Sequence, residues 1–200
     1  MKQILCVIDT QNDFIEGSLR NEEAIKKVPN IVKKIKENDW DVIYVTQDTH
    51  DDNYLETREG KNLPVVHCVK YTDGWKINED IDKAIKDAKF NRNINVVYIH
   101  KPTFGSHTLK NIIEEDSKYW GEKYLNIEFC GFCTDICVIS NVLLIKEALY
   151  EEANIIVDAS CCAGITPEGH EAALAVMNRC QIDIYESDDF KHVWEISINE

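Results

Sequence analysis

Cys137 closes the segment Gly131-Phe132-Cys133-Thr134-Asp135-Ile136-Cys137-Val138, where an apolar, strand-like run gives way to a helical pattern. A thiol at a helix start meets unpaired backbone N–H groups and the positive end of the helix dipole, and both favour thiolate over thiol. Such a thiol is a candidate nucleophile. Asp9 closes the first apolar run of the chain and Lys101 follows the third. An acid, an ammonium and a thiol gathered at one edge of a sheet can open a carbonyl compound. The thiolate attacks, the carboxylate takes the thiol proton and returns it to the leaving group, and the ammonium lowers the thiol pKa and holds the carboxylate. Backbone N–H groups at the helix start can bind the oxyanion. Singly, each residue has a plainer role, as a turn aspartate, a solvated lysine or a packed cysteine. Three of them at strand ends point to catalysis.

Asp48-Thr49-His50, with His67 further along the same stretch, forms a second cluster. A carboxylate and an imidazole two residues apart in extended chain point the same way. A second imidazole from the returning chain completes a mixed N and O set suited to one divalent ion, Zn first, with Fe or Mn as alternatives. Glu56 and Glu59 lie between and can supply a further carboxylate. The same spacing also suits a surface loop that happens to carry histidines.

The elements that must position these groups follow from periodicity. Apolar runs at Gln3–Asp9, Val42–Gln47, Asn95–His100, Leu125–Cys130, Asn154–Ala159 and Gln181–Tyr185 predict six buried strands. Helical spacing of apolar residues predicts intervening helices over Glu22–Glu37, Asn78–Ala88, Leu109–Trp120, Thr134 to about Tyr150, and from Thr166-Pro167-Glu168 to Arg179. Pro29 weakens the first of these. The alternation is that of βαβ units, so the expected fold is α/β: a single domain over residues 1–200 with a doubly wound, mainly parallel six-stranded sheet and helices on both faces. Ligands of such sheets bind outside the carboxyl ends of the strands. Residues 48–75 read as one long irregular stretch, a length associated with function.

Composition narrows the classes. A net charge of −14 opposes binding to nucleic acid or to an anionic membrane surface. No apolar run approaches the ~18 residues of a membrane span. The eight cysteines lack the spacing of a disulfide framework and no secretory signal precedes them, so they read as reduced thiols of a cytoplasmic protein. Cys161 and Cys162 read as packing residues, His107 and His170 as solvated or capping ones. Trp40, Trp75, Trp120 and Trp194 read as packing or interface residues.

Three segments together carry a resemblance: Asp9-Thr10-Gln11-Asn12-Asp13-Phe14, Lys101-Pro102-Thr103-Phe104-Gly105-Ser106, and Gly131 to Val138. They resemble the isochorismatase-like cysteine hydrolase superfamily, over essentially the whole chain in order. Asp48-Thr49-His50 with His67-Cys68-Val69-Lys70-Tyr71-Thr72-Asp73-Gly74 is similar to the metal-binding segments of its nicotinamidase branch. The resemblance implies a Rossmann-like fold and a catalytic set of Cys137, Asp9 and Lys101. It further implies a cis peptide between Phe132 and Cys133 and an oxyanion hole from the N–H groups of Cys133 and Cys137. A metal on Asp48, His50 and His67 would hold the pyridine nitrogen of the substrate. Phe14 would form an aromatic wall of the pocket, with Phe104 and Phe132 beside it. The implied reaction is nicotinamide hydrolysis, and oligomers are common in such families, so a homo-oligomer is expected. Two positions depart from the pattern: Pro64 stands where many nicotinamidases carry tryptophan, and Pro102 where many carry glycine. Both bear on the pocket wall, and so on the substrate. A related amidase acting on another small amide, carbamoyl or ureido compound is the alternative. A third reading is a non-catalytic binding or thiol-sensing protein.

Overall fold

Residues buried on both sides of a central sheet must be apolar throughout, whereas an edge strand alternates. The computed structural model, which describes residues 1–121, 125–149 and 153–185, shows both signatures. Strand β2 (Val42–Asp48) is buried at every position, and β3 (Asn95–Lys101) alternates between buried and exposed residues. With β1 (Lys2–Ile8), β4 (Leu125–Phe132), β5 (Asn154–Ala163) and β6 (Asp183–Tyr185) they form one sheet in the order β3-β2-β1-β4-β5-β6. Every neighbouring pair is parallel. The order reverses direction between β1 and β4, the switch point at which doubly wound sheets bind ligands. This is the expected fold.

The helices are α1 (Asn12–Ile15), α2 (Glu22–Glu37), α3 (Arg58–Asn62), α4 (Glu79–Phe90), α5 (His107–Trp120), α6 (Ile139–Ala148) and α7 (Pro167–Arg179). Helices α2 and α4 bury Ile31, Ile35, Ile81 and Ile85 against one face of the sheet. Helices α5, α6 and α7 bury Leu109, Ile113, Val142, Ile145 and Met177 against the other. Their starts are capped by side chains: Asn21 for α2, Asn78 for α4, Ser106 for α5 and Thr166 for α7. Pro29 lies inside α2 without ending it, because proline there forgoes one intrahelical bond while four buried apolar residues still hold the helix down. Among the described residues no helix is long and apolar enough to cross a membrane.

The structure departs from periodicity in two places. The segment after β4 is not the first turn of an α-helix but a π-helical turn, Thr134–Val138, that leads into α6. Residues 48–75 are not irregular throughout, since a 3-10 turn at Tyr54–Glu56 and the short α3, capped by the Thr57 hydroxyl, fold within them. All eight thiols are unpaired; Cys161 and Cys162 are buried. Trp40 packs in the core and Trp120 against it; Trp194 lies outside the described residues.

Candidate active site and metal centre

Strand ends bring the three charged or nucleophilic groups together. Asp9 follows β1 in a left-handed conformation, φ +46°, which aspartate tolerates better than most residues. Its carboxylate accepts a hydrogen bond from Thr46 Oγ1 at 2.7 Å and meets Lys101 Nζ at 2.6 Å. Lys101 ends β3, is 1% exposed, and also donates to the Thr103 carbonyl at 3.0 Å. Its Nζ lies 3.5 Å from Cys137 Sγ. Cys137 sits in the π-helical turn and is 4% exposed. Gly131 brings the chain to it: at φ +124° it lies so close to β1 that a Cβ would stand 2.0 Å from the Ile8 carbonyl oxygen. The Phe132–Cys133 peptide is cis.

Burial sets the charge states. It pushes the Cys137 thiol well above the ordinary range, the Asp9 charge pushes the same way, and Lys101 offsets only part. Desolvation thus opposes the helix end and favours the thiol, the form from which the sequence reading has the carboxylate take a proton. Burial also raises the Asp9 pKa, opposed by Lys101. Burial disfavours the Lys101 ammonium, but the Asp9 and Asp48 charges oppose it and favour the protonated form.

The second cluster also assembles. Ligand atoms of Asp48, His50, Glu59 and His67 all lie within 4.8 Å of one another. His50 Nε2 is 3.0 Å from Asp48 Oδ2 and 3.6 Å from Glu59 Oε1, and His67 Nε2 is 3.6 Å from Asp48 Oδ2. His67 Nδ1 is 2.8 Å from the Val65 carbonyl, the outer contact that orients a ligating histidine. The turn of α3 points Glu59 inward, while Glu56 is exposed and outside the group. The donor set fits a divalent cation on charge grounds. Asp9, Asp48 and Glu59 bring three carboxylates to one buried region against the single ammonium of Lys101, so two negative charges are left for a dication to offset. The strain shows in Glu59, whose pKa is raised by burial and by the neighbouring Asp48 charge. Two nitrogens and two oxygens suit zinc and also admit iron or manganese.

The long loop that carries this set is held by residues that sequence reasoning left aside. Gln11 Nε2 donates to the Asp48 and Trp75 carbonyls at 2.8 and 2.9 Å, and its Oε1 accepts the Asp48 N–H at 2.7 Å. Asp13 Oδ2 accepts the Cys68 N–H at 2.8 Å. Trp75 Nε1 donates to Thr49 Oγ1 at 2.9 Å. The signal for Gln11 and Asp13 was their density: five polar residues, Asp9 to Asp13, directly after a buried strand. Of the aromatic residues, Phe14 meets His67 edge-on at 5.7 Å between ring centroids. Phe132 is fully buried in the same apolar cluster as Phe14, whereas Phe104 is 47% exposed. His170 pairs with the Thr134 hydroxyl at 2.8 Å.

An isochorismatase domain model matches residues 3–189. Among solved structures, nicotinamidase/pyrazinamidase PncA of Bacillus subtilis is similar at a TM-score of 0.77 and 24% identity, covering 93% of this chain and 100% of that one. The pyrazinamidase of Pyrococcus horikoshii, solved in complex with zinc, has a TM-score of 0.68 at 24% identity over 94% and 100% of the two chains. N-carbamoylsarcosine amidase of Thermoplasma acidophilum has a TM-score of 0.67 at 20% identity over 96% and 99%. No curated protein sequence matches. This chain belongs to the isochorismatase family of hydrolases.

Proposed function

We propose that the protein is a metal-dependent cysteine amidohydrolase that converts nicotinamide and water to nicotinate and ammonia through a thioester. The observation that carries this reading is a shared ammonium. Lys101 Nζ lies 3.5 Å from Cys137 Sγ and 3.6 Å from Asp48 Oδ1, so the thiol and the Asp48 carboxylate of the metal set stand at most about 7 Å apart. A small ring with a nitrogen donor at one end and a carboxamide at the other suits that gap. Similarity to nicotinamidases and the four-donor set support it.

In this mechanism Asp9 takes the Cys137 proton as sulfur bonds to the carboxamide carbon. That proton transfer is needed because burial favours the thiol at rest. Lys101 offsets the charge passing between sulfur and carboxylate, and the N–H groups of Cys133 and Cys137 receive the oxyanion. The C–N bond breaks and ammonia leaves with the proton from Asp9. Water then gives a proton to Asp9, its oxygen bonds to the acyl carbon, the C–S bond breaks, and the thiol recovers a proton. A divalent ion held by Asp48, His50, His67 and Glu59 would supply a Lewis-acid anchor for the ring nitrogen. Phe14, beside His67, would wall the ring, with Phe104 towards the mouth and Phe132 in the cluster behind.

The test is ammonia release from nicotinamide and from N-carbamoylsarcosine, before and after metal stripping and with zinc restored. Metal-dependent release from nicotinamide that vanishes in Cys137→Ala is expected. Release from the carbamoyl compound alone would assign the same thiol chemistry to that substrate class. Release from neither by folded, zinc-loaded protein would overturn the reading.

A further inference from the structure

Asn141, on the first turn of α6, is fully buried, and its side-chain amide meets main-chain groups on two segments distant in sequence. Nδ2 donates to the Cys137 carbonyl at 2.8 Å and to the Phe104 carbonyl at 3.2 Å, and Oδ1 accepts the Ser106 N–H at 2.9 Å. Both donor hydrogens and an acceptor are engaged, so the amide orientation is fixed. One partner is the nucleophile's own peptide. The other two belong to the loop that begins at Lys101.

That loop is internally tied, so a constraint at its far end reaches the ammonium. Lys101 Nζ donates to the Thr103 carbonyl at 3.0 Å and Thr103 Oγ1 donates to the Gly105 carbonyl at 2.9 Å. Ser106 then caps α5 through Leu109 N–H. A Cβ on Gly105 would lie 3.3 Å from the Ser140 carbonyl oxygen, so the loop is seated directly on the start of α6. Lys101 itself is also held by its pairing with Asp48 in the sheet, by the Thr49 N–H on its carbonyl at 2.9 Å and by its ion pairs with Asp9 and Asp48. The amide therefore acts on the stretch beyond it, which carries the Thr103 carbonyl that the ammonium bonds.

We propose that Asn141 is a positioning residue for the hydrolytic reaction: its amide clamps the 101–106 loop to the nucleophile turn, and so holds the Lys101 ammonium beside Cys137 and the Phe104 backbone at the site mouth. This rests on Cys137 being the nucleophile. It touches none of the metal donors and meets the pocket only through the Phe104 carbonyl, so losing it falls mainly on the rate of the thiol step and little on the anchoring of substrate.

Two substitutions separate the clamp from local packing. Asn141→Ala removes all three bonds. Asn141→Thr keeps a hydroxyl that can bond back to the carbonyl four residues earlier, that of Cys137, but cannot span to Phe104 and Ser106. Iodoacetamide labelling followed residue by residue by mass spectrometry gives the first readout, with exposed Cys180 as internal reference. In both variants Cys137 should label about tenfold more slowly relative to Cys180, because the sulfur loses its cation; tenfold is one pKa unit of thiolate population. An unchanged or faster ratio would overturn the proposal. With nicotinamide, kcat should fall by a similar factor and KM stay within about twofold, whereas a general loss of packing would move stability and leave this split untouched. Near-normal Asn141→Thr beside impaired Asn141→Ala would assign the effect to the local helix bond and defeat the clamp. Labelling needs no turnover, so failure of the substrate assignment is distinguishable from failure of the clamp. If neither variant folds, hydrogen exchange in the wild-type protein decides: the Ser106 amide should be protected as strongly as strand amides of β4, and rapid exchange refutes the bond on which the proposal depends.

Discussion

Replacing Asp13 by alanine should loosen the metal centre from a distance. Asp13 is buried on α1, and its carboxylate accepts the Cys68 N–H at 2.8 Å and the Ser18 N–H at 3.0 Å. The Cys68 carbonyl accepts the His50 N–H at 3.0 Å. The residue following His67 is therefore gripped on one side by Asp13 and on the other by a second metal donor's backbone. Cys68 also adopts a left-handed φ of +47°, which a non-glycine residue holds only when its surroundings impose it. Hydrogen bonds to a charged acceptor contribute roughly 1.5–3 kcal/mol each, and a buried N–H left without a partner adds its own penalty. The two bonds together predict a loss of about 3–6 kcal/mol in the metal-free protein. Because residues that orient ligands are worth about 10–100-fold in affinity, zinc binding should weaken by at least about tenfold. Asp13→Asn retains one acceptor oxygen and should recover part of both losses. Gly74→Ala should reproduce them, since its Cβ would stand 2.1 Å from Asp13 Oδ2. Urea denaturation of stripped protein and zinc competition against a chromophoric chelator measure the two quantities. Zinc affinity within twofold of wild type, alongside the full stability loss, would refute the link between this carboxylate and the donors.

Asp9→Asn should lower turnover by ~10² or more while leaving zinc content unchanged; a much smaller loss assigns the proton to another base. Glu59→Gln keeps the shape of the fourth donor but not its charge, so zinc affinity should fall by about tenfold, 1.4 kcal/mol, and an unchanged affinity would remove Glu59 from the set. Away from the site, Lys34 lies 2.6 Å from Asp158 and is paired with Glu128, all three largely buried. Burial disfavours the Lys34 ammonium, but the two carboxylates outweigh it. Lys34→Met should therefore cost about 3–5 kcal/mol at pH 7 by stranding both acids. With the cation gone, both acids have folded pKa values above their unfolded ones, so the stability they take away as pH rises is returned as pH falls. Denaturation midpoints at several pH values should show the deficit shrinking towards pH 4; a constant deficit would mean that packing of the lysine stem, not charge, was lost.

The sheet was legible because parallel strands buried on both faces leave apolar runs that little else produces. All six appear, with ends that coincide or are displaced by up to four residues, and α2 spans the residues that its spacing marks. Convergence of Asp9, Lys101 and Cys137 followed from the rule that strand ends share an edge. The rest depends on contacts between distant segments. The choice between Glu56 and Glu59 turns on a single helical turn started by the Thr57 hydroxyl, which no apolar period announces. The π-helical turn at Thr134–Val138 hides inside a pattern that reads as an ordinary helix start. The burial of Cys137 is hidden for a related reason: a sequence displays the helix end that favours thiolate, but not the desolvation that opposes it.

Within this fold the thiol, acid and ammonium come from the ends of β1, β3 and β4, elements fixed by the core itself, with the Asn141 amide tying the last two together. The metal donors need more, because Glu59 and His67 come from a loop with little apolar content of its own to bury. That loop is fastened from outside, through Gln11 and Asp13 just after β1 and Trp75 near its end. Two of these anchors lie in the same short segment as Asp9, so the segment that presents the proposed base also fixes the loop that carries the candidate metal donors. A chain that kept Asp9, Lys101 and Cys137 but lost the Gln11 and Asp13 contacts would retain a nucleophile and lose the geometry that selects its substrate. In this family architecture, specificity for a ring with a donor nitrogen should therefore track the loop anchors and the four-donor set, while reactivity tracks the triad. Paired measurements on Asp13→Ala and Asp9→Asn separate the two: the first should raise KM at limiting zinc with kcat largely kept once zinc saturates, and the second should lower kcat at every zinc concentration.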